Sequence, residues 1–212
     1  MDKTMLKKKA CASIDDHREE IIALGDSVFQ EPELGFKEVK TAEKINKLFT
    51  SLGYETKEHQ AITGVIATAK GKEKKIKVAV MGELDALYIP NSPYADGKTG
   101  NAHMCGHNCM LAGLAGVAYA FQGQSIRQEL SGDIALMAVP AEEFIDMAYR
   151  SKLREEGQIT MFGGKQEFLL RGLLDDVDML VMQHNYSTEG DHESKIKANC
   201  GGTSNGFVSM QI

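Results

Sequence analysis

Apolar residues recur along the chain with two alternating periodicities, that of an amphipathic helix and that of a buried strand. Helical spacing runs from about residue 14 to 29, and Ser13 is its predicted N-cap. A second helical pattern extends from Val39 to Leu52, and Gly53 directly after it predicts the end of that helix. The chain therefore begins with two predicted helices.

Strand-like apolar runs then alternate with helical segments. A helix rich in Gly and Ala, from Leu111 to Phe121, separates the second of these runs from the third. This alternation predicts an α/β fold, a three-layer sandwich with a mostly parallel central sheet. The predicted strands are residues 54–69 with a core at Thr63–Thr68, then Ile76–Met81, Asp133–Val139 and Val177–Met182.

Two segments depart from the alternation. Residues from about Phe144 to Gly164 are polar and charged, which predicts an excursion between elements of the sheet. Gly201 and Gly202 interrupt the pattern near the end of the chain, and Asn205–Ile212 has the composition of one new strand. A single strand cannot form a domain, so we expect residues 1–200 to belong to one domain and residues 201–212 to begin another.

Composition narrows the class of protein. The net charge of -6 argues against nucleic acid as the main partner, because phosphate binding requires a basic surface. Apolar runs all fall short of the roughly 18 residues of a membrane span, and the N-terminus lacks the apolar core of a signal peptide. Four cysteines are too few for a disulfide scaffold, so we expect reduced thiols and a cytoplasmic protein without membrane partners.

Residues that bind metals or move protons follow the predicted strands. Ligands of parallel α/β sheets bind beyond the carboxyl ends of the strands, so these side chains should gather on one edge. A metal-dependent site is therefore predicted at that edge. The residues concerned are Glu83 and Asp85, Glu142 and Glu143, and His184.

Cys105 and His107 supply a thiolate and an imidazole two residues apart. Together they suit zinc, or manganese where carboxylates share the site. Gly106 between them would let the backbone turn so that both side chains converge. The alternative is a buried free cysteine beside a hydrogen-bonded histidine.

The remaining candidates carry their own alternatives. If Glu142 and Glu143 continue a strand, their side chains point to opposite faces, so one could bind metal while the other acts as general base. A solvated acidic helix start is the alternative for this pair. His184 is either a ligand or a core histidine at a strand end. Asp85 could orient a ligand imidazole.

Several short motifs occur in order along the chain. They are Pro32–Phe36, Lys40–Ala42, Glu83–Asp85, His103–Asn108, Pro140–Glu143, Gly163–Lys165 and the segment from Asp178 to His184. Together they resemble the motifs of the co-catalytic metallo-amidohydrolases of the aminoacylase, hippurate hydrolase and zinc carboxypeptidase type, peptidase family M20. The Cys-Gly-His-Asn variant is similar to the branch that contains p-aminobenzoyl-glutamate hydrolase.

The resemblance implies metal-dependent hydrolysis of an amide bond in an N-acyl amino acid, an aminobenzoyl-glutamate or a dipeptide-like substrate. Two divalent metal ions, zinc or manganese with cobalt or nickel as further options, would activate the attacking water. Glu142 would be the general base and Asp85 would orient a ligand. The implied metal ligands are Cys105, His107, Glu143 and His184.

Three departures from the family pattern matter. Glu83 stands where many members have a metal-binding histidine. Asn108 and Met110 stand where hippurate hydrolases often have Asp and His. Members are also about twice as long, with an inserted α+β lid through which they form homodimers and a further His ligand after it. The resemblance therefore implies a catalytic domain truncated at the start of that lid.

Three other hypotheses remain open at this point. The chain could be a catalytically incompetent fragment that at most binds metal. A structural zinc site could use Cys105, Cys109, His103 and His107, although the spacing fits no common four-ligand motif. A thiol hydrolase with Cys105 as nucleophile and His107 as base would leave Glu142 without a role.

Overall fold

A computed structural model describes residues 2–185 of the chain. The helices in this range are α1 Lys3–Asp16, α2 Arg18–Phe29, α3 Val39–Ser51, α4 His107–Ala120, α5 Gln124–Arg127, α6 Met147–Glu155 and α7 Gly164–Leu170. The strands are β1 Glu55–Gln60, β2 Gly64–Ala69, β3 Lys77–Glu83, β4 Leu87–Tyr88, β5 Asn101–Ala102, β6 Asp133–Val139 and β7 Met179–Met182.

The first predicted helix is two helices in the structure. The chain is already helical before residue 14, and it breaks at His17 between α1 and α2. Asp2 caps α1 by accepting two backbone N–H groups of the first turn. The N-cap prediction for Ser13 is therefore wrong, because its hydroxyl instead donates to the Tyr119 carbonyl of α4 at 2.8 Å. The end of α3 agrees with the prediction, since Gly53 has a φ of +75°.

The central sheet is mixed, with the strand order β1-β2-β6-β3-β7. Strands β6, β3 and β7 are parallel to one another, whereas β1 and β2 form an antiparallel hairpin that adds to the edge of β6. The predicted run of residues 54–69 is split by a turn in which Ala61 and Ile62 have positive φ angles of 47° and 79°. This turn produces the antiparallel part of the sheet.

Both faces of the sheet are covered at β2, β3 and β6, which gives the predicted three layers. Alternate residues of β6 serve opposite faces. Leu136 and Ala138 pack in a cluster with residues of α2, α3 and α4. Met137 and Val139 pack on the other face, in a cluster with Phe168 of α7. The strand that precedes the Glu142–Glu143 pair is thus fixed from both sides.

The polar excursion after residue 143 contains α6 and ends at α7. Leu153 of α6 and Ile159 pack with Phe36 and Ala141 in a third apolar cluster. The exposed side of α6 explains the polar composition, and its inner side carries a fully buried arginine, Arg150.

The predictions for Gly201–Gly202, for the strand Asn205–Ile212 and for a domain boundary at residue 200 lie outside the described residues. Helices within residues 2–185 lack the length and apolar character that a membrane span requires.

Candidate metal centre

The carboxyl ends of the three parallel strands carry the candidate site. Glu83 ends β3, Glu142 and Glu143 follow β6, and His184 follows β7. The strands are neighbours in the sheet, so these residues share one edge. The α4 helix begins at His107, and Gly106 before it has a φ of +86°, which favours glycine.

Three of the four predicted metal ligands lie together. The ligand atoms of Cys105, His107 and His184 are all within 4.8 Å of one another. The Cys105 Sγ atom is 3.3 Å from Nε2 of His184. The two imidazole rings are nearly perpendicular, with centroids 5.9 Å apart. This arrangement could hold one divalent cation between a sulfur and two ring nitrogens.

Glu143, the fourth predicted ligand, does not belong to that group but lies beside the cysteine. Burial raises the pKa of the Cys105 thiol to about 11, and its hydrogen bond to Glu143 acts in the same direction. A thiol with a raised pKa is a poor nucleophile in the absence of a metal, which weakens the thiol-hydrolase hypothesis.

A second group of potential ligands shares His107. The ligand atoms of Glu83, His107 and Glu142 also lie within 4.8 Å of one another. The Glu83 Oε2 atom is 2.8 Å from Nε2 of His107. The ammonium of Lys165 is 2.5 Å from Glu83 and 3.6 Å from Glu142. A protein cation thus lies next to this second group.

Glu142 and Glu143 diverge, but not because of strand alternation. They lie in a turn after β6, where Ala141 has a φ of +52°. Glu142 turns toward Glu83 and Glu143 toward Cys105. The premise that the pair continues a strand is therefore wrong, although the separation of their surroundings agrees with the prediction.

Asp85 orients both the imidazole and this turn. Its carbonyl lies 2.8 Å, and its carboxylate 3.2 Å, from Nδ1 of His107. Its other carboxylate oxygen accepts the backbone N–H of Glu143 at 2.8 Å. Burial alone would lower the pKa of His107, but hydrogen bonds to Asp85 and Glu83 raise it to about 11.

The residues present fit a divalent metal. Buried side-chain atoms at this edge lack a well-aligned hydrogen bond, among them Nε2 of His107, both carboxylate oxygens of Glu83 and Oδ1 of Asp85. These atoms contact one another and Lys165 only as ion pairs, and a bound cation could replace those contacts. A set of thiol, imidazole and carboxylate groups matches the preferences of zinc and manganese.

Sequence reasoning missed several of these contacts. Glu83 was expected only near the edge, and Lys165 appeared only within a glycine motif. His103 is also buried, with neither ring nitrogen hydrogen-bonded, and burial lowers its pKa to about 4. Among the described residues, neither ligand group contains His103 or the exposed Cys109, so the structure does not favour the structural zinc site.

A mixed sheet between layers of helices, with carboxylate and imidazole groups at its strand ends and a thiol beside them, is typical of proteins with a metal centre. The profile of Peptidase family M20/M25/M40 matches residues 79–200, more than half of the chain. The chain therefore belongs to peptidase family M20/M25/M40.

Named proteins with similar sequences are consistent with this family. An N-acyl-L-amino acid amidohydrolase of Geobacillus stearothermophilus is 27% identical over 186 residues, covering 86% of this chain and 45% of that protein. A solved structure with a TM-score of 0.65 is the YXEP protein of Bacillus subtilis, a dinuclear metal binding peptidase from the M20 family. It is 29% identical to this chain, and the match covers 81% of this chain and 44% of the YXEP chain.

An aminobenzoyl-glutamate utilization protein from Klebsiella pneumoniae shares the fold, with a TM-score of 0.55 at 18% identity and a coverage of 81% of this chain and 45% of that one. The chain thus spans less than half the length of each of these relatives.

Proposed function

We propose that the protein takes part in metal-dependent hydrolysis of an amide bond in a small N-acyl amino acid, aminobenzoyl-glutamate or dipeptide-like substrate. The observation that carries the proposal is the convergence of Cys105, His107 and His184 at one sheet edge, with Glu142 close to the same imidazole. The names of similar proteins support the substrate class.

Cys105, His107, Glu143 and His184 are proposed to hold two divalent ions, of zinc or manganese. Such ions polarise an amide carbonyl and lower the pKa of water. Asp85 keeps the His107 ring in place by contacts to Nδ1, and Nε2, which lies 2.8 Å from Glu83, would be the ligand atom.

Glu142 is the proposed general base. Its carboxylate is half-buried, and burial together with the nearby Glu83 raises its pKa, which makes it a better proton acceptor. It would take the proton of the attacking water and pass it to the nitrogen of the leaving amine. The ammonium of Lys165, 3.6 Å from Glu142, partly offsets the effect of Glu83 on this pKa.

A Glu142→Ala variant tests this assignment. We expect it to bind zinc or manganese like the wild type but to hydrolyse N-acetyl amino acids and aminobenzoyl-glutamate about 10²–10⁴-fold more slowly, the usual contribution of a general base. Glu156→Ala, which changes an exposed glutamate after α6, is the matched control. Full activity of Glu142→Ala would refute the role.

A second candidate is that these 212 residues bind metal without turning over substrate. The observation that favours it is the coverage of less than half of each relative. Isothermal titration with zinc, followed by an activity assay of the same sample, separates the two candidates. Turnover by the metal-loaded chain would refute the second candidate, and binding without turnover would support it.

The cytoplasmic location and the homodimer also remain proposals. A cytoplasmic location is supported by the free thiols of Cys11, Cys105 and Cys109. A homodimer formed through a lid domain rests on the family resemblance alone, and light scattering of a chain of the relatives' length would test it.

A further inference from the structure

The turn at residues 140–143 has an unusual backbone for its sequence. Ala141 adopts a φ of +52°, in the left-handed region that residues with a Cβ rarely occupy. Such a conformation is strained and persists only where surrounding contacts enforce it. The turn carries both Glu142 and Glu143, so whatever enforces it also positions the two proposed functional carboxylates.

Glu38 holds the first peptide of the turn. It is fully buried, and its Oε1 atom accepts the backbone N–H of Ala141 at 2.8 Å, while Oε2 accepts the hydroxyl of Thr63 at 2.6 Å. Glu38 lies 103 residues before Ala141 in the chain. This contact is therefore tertiary, and a local preference of the turn sequence does not provide it.

Arg150 holds the carbonyl groups on both sides of Glu142. Its guanidinium donates to the carbonyls of Ala141, at 3.4 Å, and of Glu143. A further bond to the Phe162 carbonyl, at 2.5 Å, fixes the guanidinium itself. Arg150 is fully buried, and its charge lies over the ring of Phe36 at 5.4 Å from the centroid.

The motif Pro32–Phe36 makes room for this arrangement. A Cβ atom on Gly35 would collide with the Arg150 guanidinium and with Ala141. The absence of a side chain at residue 35 lets its backbone approach the turn, and Phe36 then covers the guanidinium. Neither Glu38 nor Arg150 belongs to the two ligand groups.

We propose that the buried pair Glu38 and Arg150 are positioning residues, which hold the 140–143 turn in the conformation that presents Glu142 and Glu143 to the metal ions. The contacts of Glu38 and Arg150 with the turn do not depend on the proposed function, but their effect on metal binding rests on it. Arg150 comes from the excursion after β6, so the excursion has a direct role in building the site.

The first experiment needs no metal. Hydrogen exchange of the metal-free 212-residue chain is measured for the wild type and for Arg150→Met, Arg150→Lys, Glu38→Ala and Glu38→Gln. We expect faster exchange confined to peptides that cover residues 140–143 in Arg150→Met and Glu38→Ala. Glu38→Gln should stay close to the wild type, because an amide oxygen can still accept from Ala141.

The second experiment measures affinity for zinc, and for cobalt by its visible absorption spectrum. Loss of a group that orients a ligand typically weakens metal binding about 10–100-fold, so we expect this range for Arg150→Met and Glu38→Ala. Arg150→Lys should lose affinity as well, because an ammonium does not reproduce the fork of guanidinium donors. Arg154→Met is the matched control, since Arg154 is an exposed arginine on the same helix. It should bind metal like the wild type.

A rescue separates positioning from general destabilisation. Glycine adopts positive φ without strain, so Ala141→Gly should restore part of the affinity lost in Arg150→Lys. No rescue, together with unchanged exchange at residues 140–143 in the Arg150 and Glu38 variants, would overturn the proposal. If the wild type binds neither metal while the exchange results are as expected, the proposed function fails and the positioning role stands.

Discussion

At the scale of single residues, charge burial determines the character of the candidate site. Glu83 is almost fully buried, yet its carboxylate lies within ion-pair distance of both His107 and Lys165. Removing one partner of a buried charge costs more than the pair itself contributes, because the remaining charge loses its compensation. Lys165, although partly exposed, is therefore important for stability at this edge.

Replacing Lys165 by methionine should lower the free energy of unfolding by about 1–3 kcal/mol, the usual cost of losing a hydrogen bond to a charged group. Urea denaturation measures this difference. Lys152→Met, which removes an exposed lysine 3.8 Å from Glu156, should change stability by less than about 0.5 kcal/mol. Equal effects of the two substitutions would contradict the prediction.

Glu38 should make stability depend on pH. Burial, then the charge of Asp85, raises its pKa from 4.5 to about 8 in the folded chain, and Arg150 also faces it. The folded state therefore keeps a proton that the unfolded chain loses. The contribution of Glu38 is complete below pH 4.5 and is lost as the pH rises through about 8.

Thermal or urea unfolding between pH 5 and 8 tests this dependence. Glu38→Gln should flatten the decline of stability with rising pH, because glutamine has no proton that the folded state could retain. Glu43→Gln, at an exposed position of α3, should leave the slope as it is. A slope unaltered by Glu38→Gln would show that other groups produce it.

At the scale of elements, the sequence predicted what periodicity encodes and missed what tertiary contacts decide. Strand β6 matched its prediction at both ends, because an unbroken apolar run in a strand buried on both faces leaves little ambiguity. The split of residues 54–69 was missed, since Ala61 and Ile62 adopt positive φ without a glycine to announce the turn.

The candidate site shows the same difference between residues that the sequence indicates and residues that only tertiary contacts reveal. Cys105, His107 and His184 could be proposed as ligands from the sequence, because thiol and imidazole groups suggest metal binding from residue type alone. Glu38 and Arg150 were not predicted, because a glutamate at the start of α3 and an arginine in a charged helix look like surface residues in a sequence. Only the fold shows that both are buried.

Gly164, directly before Lys165, shows how closely α7 packs against the turn after β6. Gly164 begins α7, and a Cβ there would overlap the carbonyl of Pro140. Gly164→Ala should therefore cost about 1–3 kcal/mol through overpacking, measured by urea denaturation. At Gly97, where the space around a Cβ is empty and φ is not positive, alanine should be neutral or slightly stabilising. The reverse order would contradict this packing.

At the scale of the whole molecule, the sheet is unevenly protected. Within the described residues, β7 pairs only with β3, and its four apolar residues are between 37% and 60% exposed. An exposed apolar edge strand is a template for pairing with another chain. The edge that delivers His184 is thus also the edge most prone to association.

We expect the 212-residue chain to self-associate through β7. Val181→Lys should raise the highest concentration at which the chain is still monomeric, because a charge on an edge strand opposes pairing. Light scattering over a concentration series measures this. Ile22→Lys, at an exposed apolar residue of α2, is the control and should have no effect. Similar behaviour of both variants would point to a different contact surface.

The contact between Cys105 and His184 joins residues that are 79 positions apart, across the last strand of the sheet. Contacts of such long sequence separation form slowly during folding. If cobalt binds between these two side chains as proposed, its visible spectrum after dilution from denaturant should appear only after β7 has joined the sheet. The two side chains proposed as metal ligands would thus report the rate of a late step in folding.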